Sequence, residues 1–264
     1  MSAIALASRA GTSPHARPEP ILSAHDLHVR FGDTVAIEDL SLTVLSGEFV
    51  SVLGPSGCGK STLLKVFAGL VKPTDGRIAF DDTRLRRSFM FQKPLLLPWR
   101  TTIDNVILPI ELQRGGKAPE MGARETARRM LDLVRLGDFA DAYPHQLSGG
   151  MQQRAALARA LMCDPDVLLL DEPFGALDEL TRDVLNDELL RIWQSKQTRL
   201  TTVLMVTHSI PEAVTMSDRV IVLTHRPALL VEDVPVSCSR PRLPEDPDPG
   251  AVIKRIRRMV RSGR

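Results

Sequence analysis

The stretch FVSVLGPSGCGKSTLLKVFAGL, residues 49–70, decides the fold. It opens with an apolar run typical of a buried strand, continues with the glycine-rich turn GPSGCGKST at residues 54–62, and ends in a helical pattern. The glycines allow backbone N–H groups to turn toward an anion, and the following helix presents its positive N-terminal end to the same point. A strand, a glycine-rich loop and a helix in this order predict a phosphate-binding loop for a nucleotide.

Three side chains of this loop have predicted roles of their own. Lys60 can reach the β- and γ-phosphates, Ser61 can offer its hydroxyl to Mg²⁺, and Thr62 can contact the α-phosphate side. A chance glycine-rich turn is the alternative, and the flanking strand and helix argue against it. The residues predicted to bind the nucleotide here are Gly54, Pro55, Ser56, Gly57, Cys58, Gly59, Lys60, Ser61 and Thr62.

Two adjacent carboxylates follow a second apolar run, VLLLDEP at residues 167–173. Asp171 ends the predicted strand and is placed to bind Mg²⁺, directly or through water. Glu172 comes next, where a carboxylate can polarise a water molecule for attack on the γ-phosphate. The alternative is that Asp-Glu-Pro merely ends a strand, and the upstream phosphate-binding loop argues against it.

A second glycine turn opens the predicted helix of LSGGMQQRAALARAL, residues 147–161. It contains no lysine, and Ser148 lies 88 residues after Lys60. A hydroxyl and bare N–H groups at a helix start can bind an anion without a fixed cation. Taken alone, however, Ser148 would be a helix N-cap.

Composition limits the classes of protein that remain. The chain has 264 residues, 43% hydrophobic and 25% charged, as in an ordinary soluble globular protein. A net charge of +2 does not indicate a nucleic-acid partner. Three widely spaced cysteines indicate reduced thiols in a cytoplasmic protein, and no apolar run approaches the roughly 18–20 residues that span a bilayer.

The pattern along the chain predicts an α/β fold. Residues 21 to about 51 indicate half-buried antiparallel strands, residues 76–80 resume strand character, and residues 98 to about 143 indicate amphipathic helix. The apolar runs DVLLLD and TTVLMVTH, separated by a helical pattern, indicate a parallel sheet covered on both faces. We therefore predict a phosphate-loop NTPase core with an antiparallel β subdomain and a helical insertion.

Four motifs together carry a family resemblance. GPSGCGKST, LSGGMQQR, LLLDEPFGALD and VTHS, in that order, resemble the ATPase subunit of an ABC transporter, over residues 21 to about 223. The resemblance implies that two subunits pair head to tail around ATP. Ser148, Gly149 and Gly150 of one subunit would then close on the ATP held by the other, which explains the second glycine turn.

Further positions follow from the resemblance one at a time. Gln92 resembles the glutamine that approaches Mg²⁺ and joins the core to the helical region. Asp178 resembles the aspartate that spans the dimer interface, and His208 the histidine that touches the γ-phosphate and helps hold the attacking water. Phe31 stands where an aromatic residue stacks on adenine, and Gly175 replaces a common serine. The implied catalytic set is Lys60, Gln92, Glu172 and His208, and the implied Mg²⁺ set is Ser61, Gln92 and Asp171.

Two shorter stretches resemble importers of nitrate, sulfonate and taurine: KPLLLPWRTTIDNVILPIEL after Gln92, and RPALLVEDVPVSCSRPR near the C-terminus. The implied function is the ATP-hydrolysing subunit of an import system. Its partners would be a second copy or a homologous ATPase subunit, an integral-membrane permease and, indirectly, an external solute-binding protein. The implied location is the cytoplasmic face of the inner membrane, where the subunit would be peripheral.

The alternative functions are weaker. A soluble ABC ATPase acting on a ribosome would usually carry two cassettes in one chain, and one acting on DNA would separate the motifs by a long coiled coil. The 88 residues between Lys60 and Ser148 leave no room for that coiled coil. A catalytically dead, regulatory cassette is disfavoured because Lys60, Asp171, Glu172 and His208 are all present.

The resulting division of the chain has three parts. Residues 1–20 are expected to be a disordered tail, with a cleaved targeting peptide as the alternative. Residues 21–225 would be the ATPase domain, with a helical subdomain at about 98–160, and residues 226–264 a C-terminal extension ending in a basic helix. That helix would pack on its own domain or, alternatively, touch anionic lipid. Residues 95–99, including Trp99, would line the permease docking groove or pack in the core.

Overall fold

The computed structural model describes residues 19–82, 84–115, 122–195 and 197–262, so residues 1–18 of the predicted tail lie outside the described range. The strands are β1 (Pro20–Phe31), β2 (Thr34–Leu45), β3 (Phe49–Leu53), β4 (Asp75–Phe80), β5 (Arg87–Met90), β6 (Val167–Asp171), β7 (Thr202–Thr207), β8 (Arg219–Leu223) and β9 (Leu230–Pro235). The α-helices are α1 (Lys60–Phe67), α2 (Thr102–Gln113), α3 (Ala123–Leu133), α4 (Gly149–Leu161), α5 (Glu179–Gln194), α6 (Ile210–Met216) and α7 (Pro247–Ser262).

The strands form two sheets, which confirms the predicted α/β class. An antiparallel sheet has the order β2-β1-β4, and a larger sheet has the order β5-β6-β7-β3-β8-β9. The larger sheet is parallel except at its edge, where β9 runs antiparallel to β8. Every residue of β3, β6 and β7 is buried, as expected for parallel strands covered on both faces.

The position of β3 differs from the sequence prediction. The pattern over residues 21 to about 51 predicted antiparallel strands throughout, and this is right for β1 and β2 but wrong for β3. That strand lies in the parallel sheet between β7 and β8. Ser51 in this strand is fully buried, and its hydroxyl accepts a hydrogen bond from the Ser217 hydroxyl at 2.5 Å.

Helices α2, α3 and α4 lie in the chain between β5 and β6, where the helical insertion was predicted. In α3 the apolar positions Ala127 and Leu131 are completely buried, which confirms the amphipathic pattern. The helix ends at Leu133, earlier than the pattern suggested, and a short 3₁₀ turn follows at Gly137–Phe139. Arg135 lies between them in a left-handed conformation, with φ of 57°, which breaks the helical path.

The C-terminal helix α7 packs on its own domain. Ile253 and Ile256 are buried in a cluster with residues of α6, β8 and β9. The basic side chains on the other face, among them Lys254 and Arg257, are exposed. The apolar face of α7 is therefore already covered by its own domain, as the first of the two interpretations predicted.

Across the part of the chain that the structure describes, no helix has both the length and the apolar character that crossing a membrane requires.

Candidate functional site

The phosphate-binding loop joins the end of β3 to the start of α1. Its glycines adopt conformations that other residues avoid, with φ of 74° at Gly57 and 124° at Gly59. A Cβ atom at Gly59 would lie 2.6 Å from the Ala36 carbonyl oxygen, so this position has no room for a side chain. The tight turn of the loop therefore depends on its glycines, as the motif predicted.

Lys60 is buried at the first position of α1, and its ammonium group is held inside the loop. Its Nζ donates hydrogen bonds to the carbonyl oxygens of Gly54 and Pro55, each at 2.9 Å. The same atom lies 3.9 Å from Glu172 Oε1. The loop thus positions one fixed positive charge beside the backbone that would surround a phosphate.

A cleft of about 350 Å³ opens at this loop. The aromatic ring of Phe31, at the end of β1, lines the cleft and is half exposed, so its face is open to stack on a base. Of the predicted loop residues, Gly54, Pro55 and Cys58 do not line this cleft. The complete lining is Phe31, Thr34, Ala36, Ser56, Gly57, Gly59, Lys60, Ser61, Thr62, Gln92, Glu172 and Arg226.

Cys58 lies on the inner side of the loop and is buried. Burial raises the pKa of its thiol above the usual range, while the positive charge of Lys60 acts in the opposite direction. The thiol is therefore protonated at neutral pH and fills space behind the loop.

Ser61 and Asp171 provide the oxygen atoms of the site that could bind a metal ion. The Ser61 hydroxyl donates a hydrogen bond to Asp171 Oδ1 at 2.6 Å, across 110 residues of sequence. Burial raises the pKa of the Asp171 carboxyl, and the bond from Ser61 opposes this. Hydroxyl and carboxylate oxygens are ligands that Mg²⁺ prefers. No cluster of three or more His, Cys, Asp or Glu in the described residues could hold a metal, so Mg²⁺ here would also need phosphate or water oxygens.

Three side chains converge on the carboxylate of Glu172. His208 Nδ1 lies 3.0 Å from Glu172 Oε2, and Gln92 Nε2 donates to the same oxygen at 3.4 Å. Lys60 approaches the other oxygen. Glu172 itself has φ of 44°, a left-handed conformation that is rare for a glutamate. The structure therefore brings Lys60, Gln92, Glu172 and His208 together, although 148 residues separate the first from the last.

Gly175 faces this cluster. A Cβ atom at Gly175 would lie 3.5 Å from both Glu172 Oε2 and His208 Cε1, which is ordinary van der Waals contact. A side chain at this position would therefore touch the glutamate and the histidine, and the glycine removes that contact.

The second glycine turn lies outside the cleft of its own chain. Ser148 is the N-cap of α4, and its hydroxyl accepts a hydrogen bond from the Met151 N–H at 3.3 Å. Gly149 and Gly150 form the first turn of the helix, and none of the three lines the cleft. One chain alone thus does not bring these residues to the phosphate-binding loop.

Asp178 also lies outside the cleft of its own chain. It is exposed at the N-cap of α5 and accepts a hydrogen bond from the Thr181 N–H at 2.9 Å. This hydrogen bond lowers the pKa of the Asp178 carboxyl below its usual range. The side chain is therefore charged at neutral pH and available on the surface.

Contacts that sequence reasoning missed join α4 to the segment after Gln92. The Gln153 side chain donates to the Gln92 carbonyl oxygen at 2.9 Å. The Arg159 guanidinium donates to the Leu95 and Pro94 carbonyl oxygens at 2.8 and 2.5 Å. Backbone carbonyls accept all three bonds, so the acceptor side has no residue-type signature that a sequence pattern could show.

The same segment exposes large apolar side chains. Trp99 is 71% exposed and Leu95 is 54% exposed, with φ of 47° at Leu95. Core packing is therefore the wrong interpretation for these two residues. Leu96, between them, is partly buried against the core. Each of the two exposed apolar side chains is therefore open to contact with another molecule.

Arg226 is a charged cleft residue to which the motifs assigned no role. It lies in the turn between β8 and β9 and lines the cleft together with Phe31 and Lys60. Its guanidinium donates two hydrogen bonds to the Gly57 carbonyl oxygen. Arg226 is the first residue of the importer-like stretch RPALLVEDVPVSCSRPR, but that resemblance gives the arginine no role, so its place in the cleft comes from the structure.

Comparisons with known proteins agree with this geometry. Residues 37–175, which include the phosphate-binding loop, Gln92, Ser148 and the Asp171–Glu172 pair, match the family model described as ABC transporter. The chain is 46% identical over 216 residues to an aliphatic sulfonates import ATP-binding protein of Mesorhizobium japonicum, covering 81% of this chain and 78% of that protein. It is 44% identical over 220 residues to the nitrate import ATP-binding protein of Synechococcus elongatus, covering 80% and 78%.

A solved structure is similar over the same part of the fold. It is the dimeric structure of a post-hydrolysis state of an ATP-binding cassette bound to ADP and Pi. The TM-score is 0.70 and the sequence identity 31%, and the match covers 83% of this chain and 100% of that chain. The similarity thus extends from the motifs to the arrangement of the two sheets and the helices.

Proposed function

This chain belongs to the ABC transporter family, and on that premise we propose that it is the ATP-hydrolysing subunit of an import system that drives a separate membrane permease. The observation that carries the proposal is the convergence of Lys60, Gln92 and His208 on Glu172 in one cleft beside Phe31. These groups supply a phosphate cradle, a base and a stacking surface. Together they have what ATP hydrolysis requires of a protein.

In the proposed mechanism, Glu172 accepts the proton of the water that attacks the γ-phosphate. His208 orients the Glu172 carboxylate through their 3.0 Å hydrogen bond, and Gln92 contacts the same oxygen. Lys60 neutralises charge that develops on the phosphate oxygens, because its ammonium group is already fixed inside the loop. Positioning and charge stabilisation are the main contributions of the protein to phosphoryl transfer.

Mg²⁺ fits the same site. We propose that the Ser61 hydroxyl and the Asp171 carboxylate hold the ion, with Gln92 nearby. Ser61 Oγ and Asp171 Oδ1 lie 2.6 Å apart, so both oxygens are available at one point. When bound, the ion would neutralise charge on the β- and γ-phosphates. Burial raises the pKa of the Asp171 carboxyl, and a cation bound beside it would act in the opposite direction by favouring the charged carboxylate.

We propose that Ser148, Gly149, Gly150 and Asp178 act on the nucleotide of a partner subunit. They do not line the cleft of their own chain, although Ser148 and the two glycines expose N–H groups at the start of α4. The similarity to a dimeric cassette bound to ADP and Pi supports this arrangement. ATP would then lie between the lysine-bearing loop of one subunit and the lysine-free turn of a second copy or a homologous subunit.

The proposed permease contact is the exposed apolar surface of Leu95 and Trp99. Arg159 and Gln153 tie this segment to α4, the helix that begins with the proposed partner-facing turn. A permease that displaces the segment would therefore also move Ser148 at the far end of α4.

The subunit would be peripheral on the cytoplasmic face of the inner membrane, and an external solute-binding protein would act through the permease.

The solute is proposed from the relatives and the LLPWRT–IDNV pattern at residues 96–106. The two named relatives are import proteins for nitrate and for aliphatic sulfonates. We propose that this system imports nitrate, a sulfonate, taurine or a related small solute. Selectivity would lie in the permease and the binding protein, because the cleft of this chain is built for a nucleotide.

We retain the division of the chain as a proposal. The first boundary moves by one residue, because Pro20 already belongs to β1. The ATPase domain would then run to residue 225 with a helical subdomain at about 98–160, and residues 226–264 would be a C-terminal extension. Strand β9 of that extension completes the larger sheet beside β8. The boundary therefore falls inside a hairpin of the core.

Reconstitution with a permease tests the proposed function. The chain and its permease are co-purified in lipid, and ATPase activity is measured against a panel of binding proteins loaded with nitrate, alkanesulfonates or taurine. We expect one loaded binding protein to stimulate the ATPase above the unloaded control. Stimulation by ribosomes or DNA, with none from any loaded binding protein, would favour the soluble alternative.

A further inference from the structure

We propose that Arg226 is a further nucleotide-binding residue, whose guanidinium supplies a second fixed positive charge to the phosphates beside Lys60. The proposal rests on the nucleotide site of the proposed function and adds a residue to it. Three observations carry it: the rigid position of the arginine, its unused donors, and the charges that surround it.

The turn that carries Arg226 is rigidly held. The Thr224 hydroxyl accepts a hydrogen bond from the Leu229 N–H at 2.9 Å and lies within hydrogen-bond distance of the Pro227 carbonyl. The Thr224 N–H donates to the Leu229 carbonyl oxygen at 3.0 Å, which closes the turn. Arg226 therefore lies in a hairpin turn that is closed by backbone and side-chain hydrogen bonds.

This hairpin bridges the two halves of the cleft. The Ala228 N–H donates to the Ala36 carbonyl oxygen at 3.0 Å, and the Glu38 N–H donates to the Ala228 carbonyl oxygen at 3.3 Å. Both bonds tie the turn to β2 of the antiparallel sheet, and β2 pairs with β1, which carries Phe31. Arg226 thus lies between the sheet that presents the aromatic ring and the phosphate-binding loop.

The guanidinium is oriented by the loop itself. Arg226 Nε and Nη2 donate to the Gly57 carbonyl oxygen at 3.1 and 2.9 Å. Among the described residues, Nη1 has no hydrogen-bond partner, and no carboxylate forms an ion pair with Arg226. A planar guanidinium with fixed orientation and free N–H groups is well suited to phosphate oxygens.

The charges of the cleft point to the same ligand. Among the described residues that line the cleft, Lys60 and Arg226 are the cations and Glu172 is the only carboxylate, which already contacts Lys60 and His208. Lys60 is bonded to two carbonyl groups deep in the loop, and Arg226 is exposed at the rim. A nucleotide with several negative phosphate charges would meet the rim arginine on its way to the buried lysine.

A purely structural role for Arg226 makes different predictions. If the guanidinium only braced Gly57, its loss would change the shape of the loop, and the salt dependence of nucleotide binding would stay the same. A charge that contacts phosphate contributes to that salt dependence, because ionic strength screens exposed pairs. A lysine at this position would keep the charge and lose the two-pronged brace.

The test uses purified full-length chain and ADP, with binding measured by calorimetry at several salt concentrations. We expect Arg226→Gln to raise the Kd for ADP roughly tenfold, the size of one lost charge-assisted hydrogen bond. The slope of log Kd against log salt should become shallower, and Arg226→Lys should recover most of the affinity. Arg257→Gln, on the exposed face of α7, is the matched control and should bind ADP as the wild type does.

Two results would overturn the inference. One is an ADP Kd for Arg226→Gln within about twofold of the wild-type value, which is less than one lost charge-assisted contact. The other is an equal loss of affinity in the glutamine and lysine variants with an unchanged salt slope, which would identify a brace. Thermal unfolding without nucleotide separates loss of binding from loss of the fold. Failure of the wild-type chain itself to bind ADP would remove the proposed function as well.

Discussion

Glu172 and His208 lie 3.0 Å apart, between Oε2 of the glutamate and Nδ1 of the histidine, although 36 residues separate them. Each follows the end of a buried parallel strand, and those strands, β6 and β7, are neighbours in the sheet. The Glu172 N–H also donates to the Val206 carbonyl oxygen at 3.0 Å. The sheet register therefore sets the distance between the proposed base and the histidine proposed to orient it.

Replacing Glu172 by Gln should remove the base while preserving the shape of the site. We expect ATP hydrolysis to fall by about 10²–10⁴-fold, the usual contribution of a positioned general base. ATP should still bind, and the variant should accumulate as an ATP-bound dimer in size-exclusion chromatography. Asp187→Asn, an exposed position on α5, is the control. A wild-type hydrolysis rate in Glu172→Gln would rule out the assigned role.

Replacing Lys60 by Ala should impair nucleotide binding more than folding. The variant loses the buried charge and leaves the Gly54 and Pro55 carbonyl groups without their donor. We expect the Kd for ATP to rise at least tenfold, because one charge-assisted contact is lost. Calorimetric titration measures this effect, and Lys254→Ala on α7 controls for the loss of an exposed lysine. Unchanged ATP affinity would contradict the assignment.

Replacing Trp99 by Ala should weaken permease capture and leave ATP binding intact. Truncation of an aromatic residue at the centre of an interface typically costs about 2 kcal/mol, or roughly 30-fold in Kd. A pull-down with the permease in detergent, beside ATP titration of the free chain, measures both quantities. Leu112→Ala, also well exposed but in α2, is the matched control. Equal loss of permease capture and ATP binding would argue against a docking role.

Replacing Arg159 by Gln should separate permease binding from stimulation of the ATPase. Burial lowers the pKa of this guanidinium, and its two hydrogen bonds to Pro94 and Leu95 join the proposed docking segment to α4. We expect the variant to bind ATP and permease but to lose most of the stimulation by loaded binding protein. Arg159→Lys, which retains the charge on a single donor nitrogen, should be intermediate. Full stimulation in both variants would show that the coupling runs elsewhere.

The lowered pKa of Asp178 predicts that the stability of the folded chain decreases as the pH falls. Its pKa is lowered in the folded chain by the hydrogen bond from the Thr181 N–H, so the ionised carboxylate stabilises the start of α5. That contribution is present above the usual pKa of an aspartate and is lost as the pH falls through the lowered value. We expect the wild-type Tm to fall more than that of Asp178→Asn during acidification, since Asn retains a neutral cap.

The same pair of variants separates capping from a role across the dimer. Asp178→Ala removes the cap and should lower the Tm at neutral pH, whereas Asp178→Asn should not. If the carboxylate also acts on a partner subunit, Asp178→Asn should reduce ATPase activity while its Tm stays unchanged. Wild-type activity in Asp178→Asn would limit the residue to capping α5.

Local patterns in the sequence determined the elements and the chemistry of this protein. A glycine-rich turn between an apolar strand and a helix has few structural solutions, so residues 54–62 and the position of Lys60 could be predicted. The amphipathic period located α3, and the uniformly apolar runs located β6 and β7. Each of these signals depends on residues that are close together in the chain.

Only the tertiary structure decided which distant groups meet. It placed β3 inside the parallel sheet. The family resemblance had named Gln92, Glu172 and His208 as one set, and the structure supplied their contacts and showed Ser148 outside the cleft of its own chain. The structure also showed Arg226 and Arg159 bonded to backbone carbonyl groups more than 60 residues away. Such contacts follow from strand order and helix packing, and a carbonyl acceptor looks the same at every residue, so no local pattern encodes them.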